Sequence, residues 1–103
     1  MVKKYKIIRE EVTHEQLNEI FDYYFSTSND REVAFNIVET IDNAIDELSN
    51  MPERGANLRN RVDIDTDSKY IIVYNFAIVY DIKQDQVKII SILHMSRDFS
   101  RLF

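Results

Sequence analysis

The sequence has no cysteine, one glycine and one proline in 103 residues. Without cysteine there are no disulfides, no thiolate-held zinc, no iron–sulfur cluster and no thiol nucleophile. A single glycine, Gly55, leaves no glycine-rich phosphate loop and no collagen-like repeat, and argues against an all-β fold full of tight glycine turns. The two histidines, His14 and His94, offer little for a metal site. Long apolar runs are also missing: Tyr70 to Tyr74 and Ile89-Ile90 fall far short of the ~20 residues of a membrane span. Met1 to Lys6 is basic but lacks the apolar stretch of a secretory signal, so a cytoplasmic location without membrane contact is expected.

What is present describes a globular chain. Hydrophobic residues make up 45% and charged residues 30%, the balance of a folded domain rather than a disordered tail. The length allows one domain, 1–103. The net charge is −5, which argues against general binding to nucleic acid. That charge is uneven. Residues 1–56 carry 6 Lys/Arg against 12 Asp/Glu (6 − 12 = −6), and residues 57–103 carry 7 against 6 (7 − 6 = +1). An acidic half therefore precedes a slightly basic one.

Apolar spacing divides the chain into elements. Tyr5 to Arg9 reads as a strand. Thr13 and Gln16 have capping-box spacing and mark a helix start, and Leu17, Ile20, Phe21, Tyr24 and Phe25 then share one helical face. Ser26 to Asp30 is a polar break. Ala34, Ile37, Val38, Ile41, Ala44, Ile45 and Leu48 define a second helix, stopped by Asn50-Met51-Pro52. Two helices with so short a break form an antiparallel hairpin. Residues 53–68 are polar. Lys69 to Tyr74, Phe76 to Ile82 and Val87 to Leu93 read as three strands joined by tight turns, an antiparallel meander. The class is α+β in the order β-α-α-β-β-β, with the hairpin covering one face of a small antiparallel sheet.

Met51-Pro52-Glu53-Arg54-Gly55, Phe76 to Tyr80, Val87 to Leu93 and His94-Met95-Ser96-Arg97-Asp98 occur in an order and spacing that resemble the ParE/RelE toxins of bacterial type II toxin–antitoxin systems. The His-x-x-Arg-Asp ending points to the ParE side. The resemblance covers essentially the whole chain. It implies a toxin, of the kind also called a plasmid stabilisation protein, neutralised by a cognate antitoxin. ParE-like members poison DNA gyrase, and RelE-like members cleave messenger RNA on the ribosome.

Cleavage through the 2′-hydroxyl needs groups that move a proton and stabilise the developing phosphate charge. The resemblance implies an arginine second in the aromatic-Arg-x-x-Tyr strand motif, an arginine after the last strand, and a C-terminal tyrosine. The chain has Ala77, Arg97 and Phe103 there. His94 and Arg97 remain the catalytic candidates, and Arg59, Arg61, Tyr80, His94, Arg97 and Arg101 the candidates for target contact. A guanidinium suits carboxylate or phosphate alike. For each there is an ordinary alternative: core packing for Tyr80, a strand-end role for His94, a solvated loop for Arg59 and Arg61, pairing with Asp98 for Arg97. Asp63-Ile64-Asp65-Thr66-Asp67 lacks the central glycine and the later glutamate of a calcium loop, so no metal and no cofactor is expected.

Three readings follow. One is a ParE-like toxin that binds gyrase and catalyses nothing. Another is a divergent ribosome-dependent endoribonuclease, against which Ala77 and Phe103 count. The third is a toxin fold that survives as a non-toxic interaction module. All three keep an antitoxin-like partner. Tyr23, Tyr24 and Phe25 exceed what one buried helix face needs, so at least one is expected at the surface, where an antitoxin segment binds. The acidity of residues 1–56 predicts that this segment brings lysine or arginine.

Overall fold

The computed structural model describes residues 4–62 and 65–95. Strand β1 (Lys6–Arg9) leads directly into α1 (Glu11–Ser28), then α2 (Arg31–Glu47), a 3-10 turn at Pro52–Arg54, the two-residue β2 (Ala56–Asn57), a second 3-10 turn at Leu58–Asn60, and β3 (Lys69–Val73), β4 (Phe76–Lys83) and β5 (Gln86–His94). The α+β class and the expected order hold. Two details differ. The polar segment contributes β2, so the sheet has five strands, in the order β1-β5-β4-β3-β2. The first strand lies parallel to β5, with Ile7 opposite Val87, which makes the sheet mixed. The intervening helical hairpin supplies the crossover that a parallel pair requires.

The start of α1 differs from the capping-box expectation. The helix begins at Glu11, and Glu10 caps it without a side-chain bond. Thr13 is buried, and its hydroxyl donates to the Glu10 carbonyl at 2.6 Å. Gln16 is drawn elsewhere, as described below. The hairpin turn is shorter than the polar break suggests. Asn29 takes a left-handed conformation (φ 55°) and its N–H donates to the Phe25 carbonyl. Asp30 caps α2 by accepting from the Glu32 N–H at 2.9 Å. Both side chains suit these places because Asn tolerates αL and Asp caps well.

The helices cover one sheet face. Leu17, Ile20, Ile41, Ile45 and Leu48 pack on Ile71, Phe76, Ile78, Tyr80, Val87, Ile89 and Ile92, each large aliphatic side chain contributing about 1.5–3 kcal/mol by burial. The inward residues of β5 break strict alternation, 87 and 89 followed by 92. A bulge explains this: Tyr80 faces Ile89 but Val79 faces Ser91, so Ile90 is the extra residue. The opposite face is capped by the loop after β2, where Leu58 and Val62 pack on Tyr70, Ala77 and Val79.

Gln16 completes the sheet. β1 pairs with β5 only as far as Ile89. Beyond it the Ile92 N–H donates to the Gln16 side-chain oxygen at 2.7 Å, and the Gln16 amide donates to the Ser91 hydroxyl at 3.0 Å. One carboxamide does here what a longer β1 would do, and it ties α1 to the sheet.

Candidate functional site

The segment that links α2 to β3 is held by one phenol. Tyr80 is 0% exposed. Its hydroxyl donates to the Pro52 carbonyl at 2.6 Å and accepts from the Gly55 N–H at 3.1 Å. Burial pushes the hydroxyl above its ordinary 10.0, while the Gly55 N–H pulls the other way. The chain's one glycine stands here for space. Its φ of −75° is open to any residue, but a Cβ at 55 would lie 2.2 Å from the Tyr80 oxygen and 2.9 Å from the Tyr70 carbonyl oxygen. Pro-x-x-Gly and the strand tyrosine are therefore two halves of one contact. The structure places the Tyr80 ring in the core with its hydroxyl bonded to Pro52 and Gly55, which is the core-packing alternative to target contact.

Beside this clamp, Tyr5, Asn50, Met51, Pro52, Glu53 and Arg54 line an open depression of about 410 Å³. Its two charged residues already have partners, Arg54 with Glu47 at 2.9 Å and Glu53 with Lys69 at 3.7 Å. The depression thus offers shape more than charge.

The other candidates fall on two different faces. Residues directly opposite in an antiparallel pair share a face, and His94 stands opposite Phe76. Its ring meets Phe76 edge-on at 5.5 Å, and Phe76 meets Tyr24 at 6.3 Å. His94 therefore belongs to the helix side of the sheet, partly buried at the end of an aromatic row. Arg59 and Arg61 sit on the loop that covers the other face. Arg59 donates to the Thr66 carbonyl at 2.9 Å, and its guanidinium pairs with Asp67 and, at 3.9 Å, with Asp65. This loop is anchored through Leu58 and Val62 rather than merely solvated. Ala77 is buried in the apolar cluster of that face. The structure does not bring His94 together with Arg59 and Arg61. Arg97, Arg101, Asp98 and Phe103 lie outside the described residues, as do Asp63 and Ile64 of the aspartate run.

On α1 the three consecutive aromatics part ways. Tyr24 turns inward to Phe76. Tyr23 is 60% exposed and meets Tyr24 edge-on at 5.1 Å. Phe25 is exposed and stands 6.0 Å from Phe21. Sequence reasoning missed the other exposed large apolar residues, among them Phe35 on α2 and Ile72 and Tyr74 at the β3–β4 hairpin. Phe35 had a visible signal, since it falls outside the periodic series of α2. Tyr74 had none; it takes φ 55° in the two-residue loop, a place usually left to Asn or Gly. Among the described residues, no group of three or more His, Asp or Glu is placed to hold a metal ion, and no helix is long and apolar enough to cross a membrane.

Comparisons with known proteins agree with this architecture. The family model described as "ParE toxin of type II toxin-antitoxin system, parDE" matches residues 8–99. No curated protein matches significantly. Among solved structures, a chain of the "Chromosomal ParDE TA system from P. aeruginosa" is similar in fold. Its TM-score is 0.72 at 16% identity, with 88% of this chain and 96% of that chain covered.

Proposed function

Because the chain belongs to the ParE toxin family of type II toxin–antitoxin systems, we propose that it is a growth-arresting toxin that acts by binding a protein target, DNA gyrase, and is neutralised by a cognate antitoxin. The observation that carries the binding reading over the ribonuclease reading is the split between the two sheet faces. A ribonuclease of this fold needs cationic and proton-transferring side chains converging on one surface. Here Ala77, at the expected arginine position, is sealed among Leu58, Val62, Tyr70 and Val79, while His94 packs against Phe76 on the opposite side. The Tyr80 hydroxyl is spent on Pro52 and Gly55. The similar ParDE structure is of a toxin–antitoxin system, which supports an antitoxin partner for this chain as well.

Induction of the protein alone, and together with the product of the adjacent reading frame, tests this. Growth arrest on its own, relieved by the neighbour, together with inhibition of gyrase supercoiling by the purified protein, is the expected result. Transcript cleavage abolished by His94→Ala would replace this reading with the ribonuclease one. Unimpaired growth on induction would reduce the protein to a non-toxic interaction module.

A further inference from the structure

Strand β1 is one edge of the sheet, and most of that edge is open. It pairs with β5 alone. The N–H groups of Lys6 and Glu10 donate inward, to the carbonyls of Asp85 and Ile89. Hydrogen-bonding direction alternates along a strand, so Ile7 and Arg9 turn their N–H and C=O groups outward. Among the described residues no backbone group bonds to that side of them. At Tyr5 the edge closes, because the N–H there donates to the Ser49 carbonyl at 2.7 Å. Beside this closed end lies the depression lined by Tyr5, Met51 and Pro52.

The two sides of the edge differ in charge. Tyr5, Ile7 and Arg9 share the helix side, where Tyr5 and Ile7 pack on the core and Arg9 pairs with Asp42 and Asp46. Lys4, Lys6 and Ile8 have the opposite parity. Residues opposite one another in paired strands share a face, so Lys6, Gln86 and Lys83 form a row there. It is the same face that the loop of Arg59 and Arg61 covers. Lys4, Lys6 and Lys83 are exposed, and none enters an ion pair among the described residues. Lys88, next along β5, is held by Glu10. Asp85, in the β4–β5 turn, is the one unpaired acid beside the row. Unpaired cations thus stand along an open edge in the half of the chain that is otherwise acidic.

We propose that β1 receives an extended, acidic segment of the toxin's protein target as a sixth strand of the sheet. The outward backbone groups of Ile7 and Arg9 hold it. Its carboxylates, at alternate positions, meet Lys4, Lys6 and Lys83. The side chains between them are apolar, because Asp42 and Asp46 on the helix side repel further acids, and the last of them reaches the depression beside Tyr5. Charge selects the occupant. A second copy of this chain would bring its own lysines to the same edge, and like charges opposite one another disfavour pairing. Continuity with the loop of Arg59 and Arg61, the cations expected at a target, assigns the edge to the target. The inference rests on the target-binding reading and adds the chemistry of what is bound.

Purified DNA gyrase is the probe. Its affinity for the full chain is measured against salt and against Lys6→Glu/Lys83→Glu. Arg31→Glu, exposed at the end of α2 remote from Ser49, controls for net charge. Thermal melting establishes that the variants fold. The expected complex weakens as salt rises. The double reversal should weaken it on the order of 100-fold, roughly tenfold for each charge, while the control binds as wild type does. Residue-resolved hydrogen exchange on the wild-type chain reads the backbone directly and needs no variant. The Ile7 and Arg9 amides should exchange fast in the free chain and at least roughly tenfold more slowly in the complex. Binding that leaves these two amides unprotected overturns strand addition. Binding indifferent to salt and to the lysine reversals overturns the acidic occupant. In both cases inhibition of gyrase by the wild-type chain leaves the toxin reading standing. A wild-type chain that neither binds nor inhibits gyrase defeats that reading and the proposal with it.

Discussion

The Tyr80 hydroxyl occupies the space that a side chain at position 55 would fill, and accepts the Gly55 N–H at 3.1 Å. These residues lie 25 apart in sequence, one in a 3-10 turn's exit and one in the central strand β4. Their contact, with the Pro52 carbonyl as its third member, fixes the segment after α2 onto the sheet. It also explains why the only proline and the only glycine stand three residues apart.

Tyr80→Phe should destabilise the protein by about 1–3 kcal/mol, because the phenyl ring keeps its packing but leaves the Gly55 N–H and Pro52 carbonyl without their partner. Urea denaturation should show a lower midpoint with an unchanged slope.

Gly55→Ala should cost a similar amount, about 1–3 kcal/mol, through overpacking rather than backbone strain. In Tyr80→Phe/Gly55→Ala the hydroxyl that the new methyl strikes is gone. The double variant should therefore be less destabilised than the sum of the singles, although the Tyr70 carbonyl still crowds the site. Strict additivity in a double-mutant cycle would contradict the contact described.

Alkaline pH should expose the same group. Burial raises the Tyr80 hydroxyl above 10.0, so the folded state holds its proton where the unfolded chain releases it. The stability from this linkage is complete below the unfolded value and declines as pH rises through the folded one. Wild-type stability should fall more steeply above pH 10 than that of Tyr80→Phe, as read from melting temperatures across the alkaline range.

Gln16→Ala should release the Ile92 N–H and loosen α1 from the end of β5, at about 1–2 kcal/mol. Hydrogen exchange at Ile92 should quicken before that of the β4–β5 ladder nearer Ile82. Gln16→Glu keeps the acceptor for Ile92 and should be milder.

The apolar periods of α1, α2 and the three long strands were legible because each element buries one face, and burial writes a period of 3.6 or 2 into the sequence. β2 was not, since two residues carry no period. The parallel placement of β1 was not either, because strand direction depends on the crossover and not on the strand's own residues. The capping box failed for a related reason: Gln16 has a partner 75 residues away in Ser91, and no local pattern reports it.

The candidate site was legible by residue type but not by arrangement. Composition ruled out thiol and cysteine–metal chemistry, and Ala77 and Phe103 spoke against RNA cleavage, because a missing functional group is a fact of the sequence alone. Motif order gave the family. Which side chains face together depended on register. The β5 bulge places Ile92 and His94 on the helix side, the Leu58–Val62 loop seals Ala77 on the other, and Tyr80 forms a buried clamp with Pro52 and Gly55. The same folding pairs Glu10, Asp42, Asp46, Glu47 and Glu53 with cations, whereas none of α1's acids enters an ion pair among the described residues. Charge content was written in the chain; which charges remain unpaired was decided only by packing, because pairing depends on distances that the linear order does not contain.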